Sequence, residues 1–105
     1  MKSVGEVEQN EPFKFLEAGG QYRNAIVGDF MIIGTITNRA TVTSYKDVIL
    51  DVSFLTSTST LLETKSYAIY DVFSPNTVKD FRLRLGDAPS NASKLNWKVR
   101  TAAPN

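Results

Sequence analysis

The stretch "YKDVILDVSFL", Tyr45 to Leu55, alternates with period two. Val48, Leu50, Val52 and Phe54 fall on one side; Asp47, Ile49, Asp51 and Ser53 fall on the other. Successive side chains of an extended chain point to opposite faces, so this pattern is a half-buried strand. A helix would spread the same residues around its circumference. The period recurs along the chain. In "DFMIIGTITN", Phe30, Ile32, Gly34 and Ile36 oppose Met31, Ile33, Thr35 and Thr37. In "TVKDFRLRL", Phe81, Leu83 and Leu85 point inward, with Asp80, Arg82 and Arg84 outward. In "LNWKVR", Leu95, Trp97 and Val99 point inward, with Asn96, Lys98 and Arg100 outward.

Two further segments, "EPFKFLEA" and "QYRNAIVGDF", read as short strands separated by Gly19 and Gly20, and "LLETKSYAIYDVF" reads as the return strand after "YKDVILDVSFL". About seven short strands between turn-rich loops, with no helix, predict an all-β chain. The expected architecture is an antiparallel β-sandwich of immunoglobulin-like type. The 105 residues suit one domain. Residues 1–11 read as a flexible tail, 12–102 as the domain and 103–105 as a frayed end. An apolar share of 42% and a charged share of 22% are those of a packed globular chain.

The loop "TSTST" has no apolar anchor and is expected to fold symmetrically about Thr58. That register sets Phe54 opposite Leu62, Val52 opposite Thr64, Leu50 opposite Ser66 and Val48 opposite Ala68. Asp51 then meets Lys65, and Ile49 meets Tyr67, on the outer face. A slip of one residue would turn Glu63 and Lys65 toward the core, a costly burial of charge. The symmetric register leaves Ile49, Tyr67 and Ile69 as an apolar patch outside the core, with Tyr70 on the Val48 side. Such a patch is covered by the N-terminal segment, through Phe13, Phe15 or Ile26, or is removed by a bulge that turns the strand near Ser66, or is a partner site.

Composition removes most chemistry. The chain has no cysteine and no histidine. Thiolate nucleophiles, sulfur-ligated metals and the commonest general base are therefore absent. Ser44 with Lys46, and Ser93 with Lys94, are sequence neighbours rather than a Ser-Lys site. Asp47 and Asp51 share a strand face about 13 Å apart, too far for a glycosidase pair. Asp29, Asp71, Asp80 and Asp87 lie near turns but form no calcium-loop pattern. The reading is no catalytic, cofactor or metal site. A net charge of +1 does not point to nucleic acid. If the last two strands pair, Arg82, Arg84, Lys98 and Arg100 form an outward basic stripe suited to an anionic surface. Asn91 opens a glycosylation-type "NAS" triplet. No apolar run reaches membrane-span length, and the first residues show no secretory or lipoprotein leader.

Several motifs occur in a fixed order: Gly34, Ile36 and Asn38 in "GTITN"; Tyr45 to Val48; Tyr67, Ala68, Ile69, Tyr70 and Asp71 in "YAIYD"; then Pro75-Asn76 and "FRLRL". Together they resemble the FxLYD domain of bacterial envelope proteins, over about residues 22 to 101. Tyr replaces Phe and Ile replaces Leu in the namesake motif, and Pro-Asn stands for the usual proline-glycine turn. The resemblance implies an immunoglobulin-like sandwich without catalysis, in a cell-envelope or secreted protein. Its expected partners are protein or envelope polysaccharide. A carbohydrate-binding module using Tyr22, Tyr45, Tyr67 and Tyr70 is the alternative.

Overall fold

The structure is a computed structural model, and it describes residues 10–26 and 29–105. The expected tail falls mostly on residues 1–9, which lie outside the described residues. Among the described residues six strands follow a 3-10 turn at Pro12–Lys14. They are β1 (Leu16–Ile26), β2 (Asp29–Asn38), β3 (Tyr45–Leu55), β4 (Leu61–Phe73), β5 (Thr77–Leu85) and β6 (Lys94–Pro104). Two three-stranded antiparallel sheets pack face to face, in the orders β1-β2-β5 and β4-β3-β6. The protein is a β-sandwich.

The alternating sets point where their period requires. Phe30, Ile32 and Ile36 from β2 are fully buried, as are Val48, Leu50, Val52 and Phe54 from β3. Phe81 and Leu85 join from β5, and Leu95 and Val99 from β6. The two central strands, β2 and β3, supply the most deeply buried residues because each has a neighbour on both sides.

Six strands form where about seven were expected, because Gly19 and Gly20 do not interrupt the chain. The strand β1 runs through them, paired with β2 from Leu16↔Asn38 to Asn24↔Phe30. Gly20 has φ 134, and a Cβ there would collide with the backbone of Gly34 and Ile33. Gly20 and Gly34 let the two backbones approach closely. The segment around Phe13 is a 3-10 turn rather than a strand. At the other end, residues 103–105 are not frayed. The strand β6 continues to Pro104, Ala102 is buried, and the Asn105 amide donates to Ser44 O.

The β3–β4 hairpin corrects the expected register. The turn itself is symmetric about Thr58, since Leu55 pairs with Leu61. The register then shifts by one, with Phe54 opposite Glu63, so Leu62 has no directly opposed partner. Beyond this bulge Val52 pairs with Lys65, Leu50 with Tyr67 and Val48 with Ile69. A one-residue slip exchanges the faces of a strand. Tyr67 and Ile69 therefore pack against the core, while Ile49 stays on the outer face opposite Ala68. A second shift occurs between Lys46 and Val48, where Asp47 has φ 51. Tyr70, near this irregularity, is 83% exposed rather than on the Val48 side.

The slip is tolerated because β4 is an edge strand. Lys65 is turned inward, yet its ammonium reaches past the rim to Asp87, at 2.7 Å from the backbone carbonyl and 3.0 Å from Oδ2. The Glu63 side chain stays about half exposed. Neither charge is stranded, and Tyr67 and Ile69 gain burial worth about 1.5–3 kcal/mol for a fully covered side chain.

Candidate functional site

Among the described residues each sheet ends in two edge strands, so the sandwich has two long seams. Along one, β4 lies beside β5. Here Lys79 pairs with Asp71 at 2.7 Å and sits over the Phe73 ring at 5.7 Å. Lys65 pairs with Asp87, and the Tyr67 hydroxyl donates to Asp87 Oδ1 at 2.8 Å. The Lys65 and Tyr67 hydrogen bonds hold the Asp87 carboxyl below its ordinary pKa. Burial, reinforced by Asp87, pushes the Tyr67 phenol well above its own. Asp71 is likewise lowered by its bond from Lys79. This seam is closed by polar clasps.

The residues of the "YAIYD" motif do this closing. Tyr67 and Asp71 supply clasps, and Ile69 packs on the core. The "GTITN" element ends in Asn38, which is fully buried and bonded at every polar atom. Its Nδ2 donates to Thr43 O at 3.1 Å and Phe73 O at 3.0 Å, and its Oδ1 accepts from the Ala40 amide at 2.9 Å. One side chain thus ties the β2–β3 loop to the end of β4. The turn after Phe73 places Pro75 second and Asn76 third, with Asn76 at φ 57 and its amide bonded to Ala40 O.

The other seam, between β1 and β6, is more open. Trp97 is half-buried in its middle and meets Tyr22 edge-on at 6.1 Å. A hollow of about 470 Å³ lies on one side of Trp97, bordered by Phe13 of the 3-10 turn, by Leu16, Glu17 and Ala18 of β1, and by Asp51, Lys98, Val99 and Arg100 from the other sheet. A second hollow, of about 530 Å³, is bordered by the consecutive residues Ala18 to Tyr22 and by Leu95 to Trp97. Consecutive lining residues mean that strand edges, not side-chain walls, form its sides.

The expected basic stripe does not form. The strands β5 and β6 belong to different sheets, so Arg82 and Arg84 lie on one outer face and Lys98 and Arg100 on the other. Arg100 approaches Asp51 at 4.0 Å. The expected patch of Ile49, Tyr67 and Ile69 is also divided, by the hairpin slip. Phe13 is 51% exposed and covers neither Tyr67 nor Ile69, which face inward by themselves; the Ile26 side chain lies outside the described residues. The four tyrosines form no common platform: Tyr45 is fully buried, Tyr67 points inward, Tyr22 leans on Trp97, and Tyr70 stands apart. Among the described residues no group of three acidic side chains converges. No described helix is long and apolar enough to cross a membrane.

No family model, no curated protein and no solved structure matches this chain.

Proposed function

We infer that the protein is a non-catalytic immunoglobulin-like module of a bacterial cell-envelope or secreted protein, acting through contacts with other proteins. The observation that carries this reading is the use made of the motif residues. Asn38, Tyr67, Asp71 and the Pro75-Asn76 turn, which carry the resemblance to FxLYD domains, all serve to hold the sandwich shut. Motifs of that kind are fold signatures, as in a family whose members share a scaffold rather than a reaction. A chain without histidine or cysteine also has few means of proton transfer or covalent catalysis. The work is left to edges and loops.

The test is localisation in the native host. With an antibody against the chain, protease added to cells with a permeabilised outer layer should remove the signal while a cytosolic marker survives. Retention of the chain beside the marker would overturn the envelope reading.

A further inference from the structure

We propose that the free edge of β1 is a self-pairing surface, at which a second copy of this chain adds its own β1 antiparallel about a two-fold axis at Gly20. Among the described residues β1 pairs only with β2, and no described strand is hydrogen-bonded to its other side. The other three edges are guarded in ways that discourage strand addition. Along β6 stand Lys94, Lys98, Arg100 and Pro104, and along β5 Lys79, Asp80, Arg82 and Arg84. The β4 edge is engaged by Lys79, which bonds Asp71 and Val72 O. From Leu16 to Tyr22, β1 has no lysine, no proline and no bulge; its register is regular until Asn24.

The sequence of this edge is complementary to itself. Its outward set is Glu17, Gly19, Gln21 and Arg23, and its inward set is Leu16, Ala18, Gly20 and Tyr22. Directly opposed residues in an antiparallel pair share a face, so a two-fold axis must pass through a residue and not between two. Centred on Gly20, the pairing sets Glu17 opposite the second copy's Arg23, and Arg23 opposite its Glu17. Ala18 meets Tyr22 twice, small against large, and Gly20 meets Gly20. Centring on Gly19 would oppose Glu17 to Gln21, and Leu16 to Tyr22. Centring on Gln21 would oppose Arg23 to Gly19, and Tyr22 to Gly20. Neither pairs opposite charges across the axis.

The neighbourhood agrees. Glu17 and Arg23 are exposed, and the existing Glu17–Arg39 pair lies on the surface where it can be shared. The hollow bounded by Ala18 to Tyr22 and Trp97 lies at the proposed axis, so the second copy covers the half-buried indole. Lys98 and Arg100 also border the first hollow, beside Glu17, and Arg100 there approaches Asp51 at 4.0 Å. An isologous contact of this kind closes on itself and stops at a dimer.

This inference does not depend on the envelope reading and is tested on the purified full chain. Sedimentation equilibrium up to about 1 mM should show a mass rising from 11.6 kDa toward twice that value. Glu17→Arg and Arg23→Glu each set like charges opposite one another at two places. Each should raise the dissociation constant about tenfold. In an equimolar mixture of the two variants, every opposed pair across the axis again has unlike sign. Association should return to within about threefold of the wild type. Changes confined to one chain, such as loss of the Arg39 pair, are unaltered by mixing, so only intermolecular pairing gives this recovery. A chain that stays monomeric, a dimer indifferent to both substitutions, or a mixture that does not recover would each overturn the proposal.

Discussion

Tyr67 and Asp87 join the two sheets at the β4–β5 seam: the phenol, rooted in the core face of β4, donates to the carboxylate that follows β5, at 2.8 Å. Its ring packs on the core while its hydroxyl stays at the rim. Tyr67→Phe should therefore cost only about 1 kcal/mol, the usual net value of one hydrogen bond. Tyr67→Ala should cost about 3 kcal/mol, because the packed ring is lost as well. Tyr70→Ala, at an 83% exposed position, should stay within about 0.5 kcal/mol. Urea unfolding of the three variants checks the order. A larger cost at Tyr70 than at Tyr67 would restore the symmetric hairpin register.

The same pair gives the stability a pH signature. Asp87 has a depressed pKa in the native state, chiefly from the Lys65 hydrogen bond and then from Tyr67. Its contribution is present above the ordinary aspartate value of 3.8 and is lost as pH falls through the lower native value. Tyr67 has a raised pKa, so its contribution is present below the ordinary phenol value of 10.0 and fades as pH rises beyond it. Asp87→Asn should flatten the acid fall of unfolding free energy between about pH 5 and pH 2. Tyr67→Phe should flatten the alkaline fall. The acid effect is modest, because the clasp is largely solvated. Parallel wild-type and variant curves in both arms would contradict the clasp.

Asn38 is a buried polar side chain with three bonds, and removing it strands its partners. Asn38→Ala leaves Thr43 O, Phe73 O and the Ala40 amide without it. Each unsatisfied buried group costs about 1–3 kcal/mol, so the total should exceed 3 kcal/mol. Asn38→Asp keeps the shape but loses both donated bonds, and should be about as damaging. Chemical denaturation measures both. A change below about 1 kcal/mol would show that water replaces the side chain at little cost.

Gly34 and Gly86 make a matched pair. A Cβ on Gly34 would run into Gly19 O and the Gly20 backbone, whereas one on Gly86 meets nothing within 4 Å. Gly34→Ala should force β1 and β2 apart and cost several kcal/mol, with lost sheet signal in circular dichroism. Gly86→Ala should be neutral or stabilising by about 0.5 kcal/mol, since it only restricts the unfolded chain. Thermal melts of the two variants should diverge accordingly.

Which residues of β2, β3, β5 and β6 face the core was legible in the residues alone. One-sided burial imposes period two on each strand separately, and that period can be read without knowing any neighbour. The sequence also placed the turn about Thr58 and the one at Pro75-Asn76, whose conformations depend on local residues. Which strands share a sheet depends on packing between distant segments, and that packing parts Arg82 and Arg84 from Lys98 and Arg100. The same packing makes β4 an edge. A charge turned inward is forbidden in a central strand and cheap at a rim, where Lys65 can reach Asp87 from across the seam. That distant partner lets a bulge at Leu62 reverse the faces of Tyr67 and Ile69. The glycine pair shows the same division. Gly19 and Gly20 read as a break, yet they lie within one strand, and what Gly20 accommodates is the backbone of Gly34, fourteen residues away.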